Sequence, residues 1–310
     1  MSSSRRAMLP YLAFTALALI WGASFLLIKL GVRDMSPTVL VFVRSASGAI
    51  ALGVIMRMTG RKLLGAEWRR RVGLFVFMAF TNALLPWVAI AWGEEHITSG
   101  LASILNSTTT LWAAVLIYFV IPSERPSGLN YVGVLIGLAG VVILVLPDLV
   151  AHGLSGSLLG ALAVVAAAMS YAVSALFQRT RMRSMNIYEQ SFGQLAVTAV
   201  VALPIAAPAV PYVHLSWLSI SAVITLGVAG SGIAYLLYYY TMNTLGAVRA
   251  TGVTFVVPVT AVFWGVVLLR EALTLPTAIG MVVILAGVVL TNVRRTARRE
   301  PAIERDSAVA

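Results

Sequence analysis

The chain contains an internal repeat with a fixed offset of 147 residues. Glu124 falls on Glu271, and the segment Leu-Ala-Gly-Val-Val at 138–142 recurs letter for letter at 285–289. Each copy contains five long apolar segments, and five is an odd number. If the segments cross a membrane, the second copy enters it from the opposite face. A two-fold axis lying in the membrane plane then relates the two copies.

The composition indicates that these segments do cross a membrane. The chain is 60% apolar and 11% charged, whereas soluble domains contain about 25% charged residues. A hydrocarbon core of about 30 Å requires roughly 20 residues of helix, and no segment alternates as a barrel strand would. The predicted spans are 9–28, 37–56, 73–92, 99–121, 128–146, 155–177, 188–207, 216–238, 247–268 and 274–292.

The predicted fold class is therefore an all-α membrane protein with ten transmembrane helices. Its two inverted five-helix repeats, 9–146 and 155–292, surround a central cavity, between terminal tails at 1–8 and 293–310. The side of the membrane that holds both termini receives 17 of the 22 Lys and Arg residues, and the other side receives 3. This positive-inside asymmetry predicts cytoplasmic termini, and we expect the protein in a bacterial inner membrane.

Short motifs in both repeats carry a family resemblance. The first span contains Trp21-Gly22-Ala23-Ser24, and the second begins at Pro37 and carries Arg44. The closing segment of the second repeat contains Gly246-Ala247, Pro258, Glu271, Gly280 and Gly287 in that order. This order resembles the drug/metabolite transporter superfamily, in particular its ten-span group with two EamA-type repeats. The resemblance covers about 9–292. It implies a carrier of small organic solutes, often an exporter of amino acids or related metabolites.

One position departs from the repeat. Pro258 has Leu111 at the matching place in the first copy, where a polar run, Asn106 to Thr110, precedes it. Hinge behaviour at Pro258 is therefore not expected to carry over to span 4.

Arg44 is the one cation predicted well inside a span, where its burial costs about 2.5–3.5 kcal/mol on insertion scales. Two interpretations stay open. It attracts a carboxylate of the solute, or it ties helices together through backbone carbonyls or the Ser45 and Ser47 hydroxyls.

Polar and aromatic residues at helical spacing predict the other walls of the cavity. Single Ser and Thr side chains often bond their own helix instead, but five consecutive polar residues in span 4 are not all expected to do so. The predicted solute-binding residues are Trp21, Ser24, Arg44, Asn82, Trp87, Asn106, Thr109, Thr110, Trp112, Tyr171, Ser174, Tyr235, Tyr239, Thr251 and Thr254.

The remaining motifs favour structural roles. Gly133, Gly137 and Gly140 form a stripe that predicts close packing of span 5, with matching glycines in span 10 and a dimer face as an alternative use. Glu124 and Glu271 are expected to cap helix N-termini or hold a loop. All eleven carboxylates lie in loops, in tails or near span ends, which favours facilitated transport or exchange, since coupled carriers usually bury an ionisable group.

A carrier that works by alternating access is the leading functional hypothesis, and inverted repeats are typical of such carriers. A polar, nearly uncharged pocket suits small zwitterionic or neutral metabolites, including aromatic amino acids, and another metabolite or multidrug carrier is the alternative. A membrane-embedded enzyme is disfavoured because no histidine or acid pair lies in a predicted span. We expect a small solute and lipid as partners, no nucleic acid, no cofactor and no metal; monomer and homodimer are equally plausible.

Overall fold

The computed structural model describes residues 3–121, 127–214, 216–245 and 252–292, and within these ranges the regular structure is helical. We number the long helices in chain order: α1 (Ser3–Gly31), α2 (Pro37–Met58), α3 (Trp68–His96), α4 (Ser99–Val120), α5 (Gly128–His152), α6 (Gly156–Arg181), α7 (Ile187–Ala206), α8 (Trp217–Met242), α9 (Val253–Leu269) and α10 (Leu275–Asn292). A short 3₁₀ helix, Ala207–Tyr212, continues α7.

In the described part of the chain, nine helices are long and apolar enough to cross a membrane. The tenth, α9, has 17 described residues and begins beside 246–251, which lie outside the described ranges. The all-helical fold with two repeats is thus confirmed, while the exact number of spans stays a prediction.

Helix starts follow the chemistry of the sequence. The side chains of Ser36, Thr98, Ser155 and Ser216 each accept a hydrogen bond from a backbone N–H in the first turn of the helix that follows. Such caps satisfy donors that have no partner within the helix. Pro37 follows Ser36 at the first helical position, where its missing N–H and fixed φ cost nothing.

The helices exchange partners as a two-fold relation between repeats requires. In the first repeat α1 packs against α8 and α9, and in the second its counterpart α6 packs against α3 and α4. Likewise α2 contacts α8, while its counterpart α7 contacts α3. The pairs α2–α7, α4–α9 and α5–α10 join equivalent helices. Each repeat therefore buries its apolar faces mainly against the other repeat.

The predicted glycine stripe is a seam between α5 and α10. A Cβ on Gly287 would lie 2.6 Å from the carbonyl oxygen of Gly133, and one on Gly140 would lie 2.9 Å from the backbone nitrogen of Ile284. Only glycine permits backbones to approach this closely. The stripe faces inward, so it is not available as a contact between two copies of the chain.

Two neighbouring helices differ in continuity. α4 is interrupted at Ser107 and Thr108, whereas α9 continues through Pro258 without a break from Val253 to Leu269. Hinge behaviour at Pro258 stays a prediction, since a helix can bend at a proline while remaining helical on both sides. The hydroxyls of Ser107 and Thr108 each donate to a carbonyl three residues earlier, 2.6 Å away in both cases. These bonds compete with the helical pattern and explain the interruption.

Candidate functional site

Arg44 lies on α2 and is only 8% exposed. Its guanidinium carbon is 3.7 Å from the centroid of the Trp87 ring on α3, and its Nε donates to the Ser231 hydroxyl of α8 at 3.2 Å. The ion pairs within the described ranges are those of Arg71 with Glu67 and Glu189. Arg44 thus has an aromatic and a hydroxyl partner there but no carboxylate.

This geometry argues against one part of the earlier structural interpretation of Arg44, namely that Ser45 or Ser47 holds its guanidinium. Ser45 donates to the carbonyls of Val41 and Phe42, and Ser47 likewise bonds its own helix. Neither serine holds the guanidinium. A cation–π contact with Trp87 stabilises a desolvated cation by about 2 kcal/mol, which offsets part of the burial cost and leaves the fork of nitrogens able to bind an anion.

An amide network lies beside Arg44. Asn82 of α3 donates to the side-chain oxygen of Gln194 on α7 at 3.1 Å, and Ser174 of α6 donates to the Asn82 side-chain oxygen at 2.9 Å. Tyr171 and Tyr235 pack against the same apolar cluster as Trp87. The amide nitrogen of Gln194 is buried without a partner among the described residues. Five helices therefore converge on a buried, aromatic and mostly uncharged cluster, which we call the Arg44 cluster: Arg44, Asn82, Trp87, Tyr171, Ser174, Gln194, Ser231 and Tyr235.

Two π-helical turns position this cluster. They cover Phe80–Leu84 in α3 and Leu226–Ile233 in α8, which are equivalent places in the two repeats. In α3 the cause is Pro86, which has no N–H to donate to the carbonyl four residues earlier. In α8 the segment is rich in glycine. Such widened turns occur frequently at functional sites, and here they carry Asn82 and Ser231.

Trp21 and Ser24 of α1 lie next to the widened turn of α8. The indole nitrogen of Trp21 donates to the carbonyl of Gly230 at 3.3 Å, and its ring is 5.5 Å from that of Tyr238. Ser24 donates to its own helix at Ile20. The structure therefore places both residues beside the Arg44 cluster, with their hydrogen-bonding groups already paired.

Three of the five residues in the polar run of α4 bond their own helix, which agrees with the expectation that not all five do. Ser107, Thr108 and Thr109 each bond a carbonyl three residues back. What remains is the side-chain oxygen of Asn106 and the indole N–H of Trp112, both buried without partners within the described ranges. No hydrogen bond between described residues joins this pair to the Arg44 cluster. Thr110 is half-buried.

The predictions for α8 and α9 had mixed outcomes. Tyr235 belongs to the Arg44 cluster, while Thr254 is exposed and lies outside it. Thr251 and the side chain of Tyr239 lie outside the described residues. Gln194 was missed, although Gln190, Gln194 and Thr198 recur every fourth residue in an apolar helix, and this spacing was a usable signal.

The acidic residues differ in their surroundings and in how they agree with the predictions. The Glu271 carboxylate accepts bonds from the backbone of Ser99 at 2.8 Å and of Gly100 at 3.2 Å, so its predicted capping role is confirmed for the start of α4. Glu124 lies outside the described ranges. The expectation that no carboxylate is buried is wrong for Glu94, which lies inside α3 and is 0% exposed. The expected absence of a buried carboxylate was the reason for favouring uncoupled transport, and that reason no longer holds.

Asp34 joins the loop between α1 and α2 to the loop between α7 and α8. Its backbone oxygen accepts from the amide of His214 at 3.1 Å, and its carboxylate accepts from Ser216 and Ser219. These hydroxyl bonds lower the pKa of Asp34 below its ordinary value of 3.8. Within the described ranges no group of three or more His, Cys, Asp or Glu side chains is arranged to hold a metal ion.

Comparison with known proteins accounts for both repeats. The EamA-like transporter family model matches residues 8–146 and 158–293, which are the two repeats. The chain belongs to the EamA-like transporter family. It is thus an integral membrane protein of a transporter family, and the π turns and the Arg44 cluster lie where the two family repeats meet.

Relatives and one solved structure extend this finding. The chain is 23% identical to the uncharacterized transporter YoaV of Bacillus subtilis, covering 91% of this chain and 96% of that protein. It is 27% identical to the uncharacterized inner membrane transporter YedA of Escherichia coli K12, covering 93% and 92%. A solved crystal structure matches with a TM-score of 0.65 at 21% identity, covering 91% of this chain and 96% of that one. That likeness supports the shared fold.

Proposed function

We propose that this EamA-family protein exports small zwitterionic or neutral metabolites, in particular amino acids including aromatic ones. The carrying observation is Arg44, a buried cation stacked 3.7 Å from the Trp87 ring with no carboxylate partner in the described chain. A solute carboxylate supplies the missing counter-charge, because the guanidinium fork binds carboxylates through two parallel hydrogen bonds.

The surrounding groups fit the rest of such a solute. Trp87, Tyr171 and Tyr235 offer aromatic surface for an apolar side chain. The Asn82 and Gln194 amides are neutral donors and acceptors suited to an amine or a second polar group. A sugar phosphate or nucleotide would require more than one buried cation around its anion. The Arg44 cluster contains a single cation and is therefore matched to a monoanionic group.

Movement follows the alternating-access mechanism in this proposal. Each repeat packs mainly against the other, so a rocking of one against the other would open the cluster to one side at a time. Both termini face the cytoplasm of a bacterial cell, and the lysine- and arginine-rich loops lie on that side. Since the chain has no cysteine, single substitutions Ser4→Cys and Ala308→Cys test this orientation. Both cysteines should resist an impermeant maleimide in intact cells and react with it after lysis. If one of the two reacted in intact cells and the other did not, the proposed orientation would be overturned.

Counterflow in proteoliposomes tests the transport proposal. The full chain is reconstituted with a panel of labelled amino acids, neutral, aromatic and charged, and with neutral metabolites that lack a carboxylate. We expect exchange of unaltered zwitterions and its loss in Arg44→Gln, while the matched variant Arg33→Gln, in an exposed outer loop, exchanges normally. Exchange only of solutes without a carboxylate would favour another metabolite or multidrug carrier, chemical alteration of the solute would favour an enzyme, and no exchange at all would refute the proposal.

A further inference from the structure

Glu94 is a buried carboxylate that the proposed binding site does not use. It lies near the end of α3 and is 0% exposed, and neither of its side-chain oxygens has a hydrogen-bond partner among the described residues. The face of α3 beside it is closed by close packing, because a Cβ on Gly93 would lie 2.8 Å from the backbone oxygen of Gly160 on α6. Glu94 is thus enclosed by protein.

Three charged side chains interact electrostatically with Glu94, although none forms an ion pair with it in the described chain: Lys29 of α1, Arg44 of α2 and Glu271 before α10. The other described parts that contact this end of α3, namely α4, α6 and the π turn of α3 itself, add no charged group near it. On its own helix, Glu95 and His96 follow it and are exposed. Any proton equilibrium at Glu94 is therefore set by burial and by these three neighbours.

Lys29 is the nearest candidate for an ion pair, yet its ammonium is otherwise engaged. It donates to the backbone carbonyl of Glu94 and to that of Ile97, the latter at 2.9 Å. These are carbonyls at the C-terminal end of α3, where a cation is favourable. The described hydrogen bonds of Lys29 thus go to the helix end, and none goes to the Glu94 carboxylate.

The neighbouring carboxylate has the opposite surroundings. Glu271 accepts from the amides of Ser99 and Gly100 and from the Ser99 hydroxyl at 3.0 Å. Of these two carboxyl groups, Glu94 is therefore the one without a hydrogen-bond donor among the described residues.

An ionised carboxylate enclosed without donors is costly by several kilocalories per mole after relaxation, whereas a protonated one is a neutral group. We infer that Glu94 is a proton-binding site, protonated in the conformation described here, and that it releases its proton when the helices around it part. In the proposed exporter, on which this inference rests, inward proton movement through Glu94 would be exchanged for outward movement of the solute.

The protonation step can be tested without knowing the solute. Infrared difference spectra of the full chain in lipid, recorded across a pH change, report a carboxylic acid carbonyl band for a protonated buried glutamate. We expect this band at neutral pH in the wild type and in Glu95→Gln, the exposed neighbour, and its absence in Glu94→Gln. If the wild-type spectrum contained no carboxylic acid band that disappears in Glu94→Gln, the inference would be overturned, whatever the outcome of transport assays.

The coupling step uses a pH-sensitive dye trapped in proteoliposomes. A gradient of an amino acid that shows counterflow should move protons in the wild type and in Glu95→Gln. In Glu94→Gln, proton movement should fall at least tenfold while amino-acid counterflow continues, and Glu94→Asp should restore part of the proton movement.

Other outcomes count against the inference in distinct ways. Unchanged proton movement in Glu94→Gln would remove Glu94 from coupling. Loss of counterflow in both Glu94→Gln and Glu94→Asp, with normal folding by gel filtration, would make the carboxylate a ligand of the solute and would also overturn it. If no panel member shows counterflow in the wild type, the proposed function fails, and the infrared band alone decides whether Glu94 binds a proton.

Discussion

The glycine seam and the Arg44 cluster are both buried between the two repeats, but they are built on opposite principles. In the seam, α5 and α10 approach so closely that a Cβ on Gly133 would lie 2.7 Å from the carbonyl oxygen of Gly287. In the Arg44 cluster, polar groups fill the space between helices, and the Gln194 amide nitrogen has no partner in the described chain. The first region leaves no room, and the second leaves hydrogen-bonding capacity unused.

This difference separates scaffold from site. Tight backbone packing has a single arrangement, since interiors of native density do not deform continuously. A cluster held by single hydrogen bonds and ring contacts can exchange its partners for those of a solute at little cost. We therefore expect seam variants to affect folding and cluster variants to affect transport, and the predictions below test that division.

The largest effect is expected in the seam. Gly287→Val would place a branched side chain against the backbone of Gly133 and Gly137, so the folded state should lose about 3 kcal/mol or fail to form. Melting temperature and gel filtration in detergent measure this. The matched variant is Gly73→Val in α3, where a Cβ would meet nothing within 4 Å, and it should fold normally. If Gly287→Val and Gly73→Val had the same melting temperature, the close packing of α5 against α10 would be contradicted.

Arg44 should give the reverse pattern. Arg44→Gln removes a charged hydrogen-bonding group worth about 1.5–3 kcal/mol to a bound carboxylate, which corresponds to roughly a 10- to 100-fold loss of counterflow. Arg44→Lys should recover only part of it, since lysine lacks the planar fork. Yield and melting temperature should stay near wild type. A variant that melts early while transporting normally would assign Arg44 to the scaffold.

The sequence predicted the glycine seam more completely than the Arg44 cluster, and the reason is physical. Repeats and glycine stripes are periodic features, so the two repeats and the seam could be predicted directly. Arg44 and Trp87 were predicted because large polar or aromatic residues are unusual at that depth. Their contact could not be, because it depends on how each helix is rotated about its axis.

The misses have the same origin. Gln194 carried a periodic signal that a search for hydroxyls and aromatics passed over. The burial of Glu94 depends on α3 extending to His96 and on α6 packing over it, and neither follows from composition. In α4, Thr109 is a residue type suited to bind a solute, but its hydroxyl bonds its own backbone, a choice that only the helix geometry decides.

Within α4, a smaller effect should separate paired from unpaired groups. Asn106→Ala and Trp112→Phe remove side-chain groups that are buried without a described partner, and each should lower counterflow about fivefold, the equivalent of one hydrogen bond of about 1 kcal/mol. Thr109→Val removes a hydroxyl that bonds its own helix and should leave counterflow unchanged. Normal counterflow in both Asn106→Ala and Trp112→Phe would remove α4 from the site.

The smallest effect concerns the loop between α1 and α2 and the loop between α7 and α8, which belong to neither region. Hydrogen bonds from Ser216 and Ser219 lower the pKa of Asp34 below 3.8, so the ionised form is the one that the folded state stabilises. This contribution is complete above pH 3.8 and is lost as the pH falls through the lowered pKa. Asp34→Asn should therefore melt slightly below wild type at neutral pH and together with it in stronger acid. A difference that persisted in acid would show that the ionised carboxylate is not its cause, because the Asp34 backbone contact with His214 is the same in both proteins. Arg33→Gln leaves the hydroxyl bonds in place and removes a smaller charge interaction with Asp34, so it should melt closer to wild type than Asp34→Asn does.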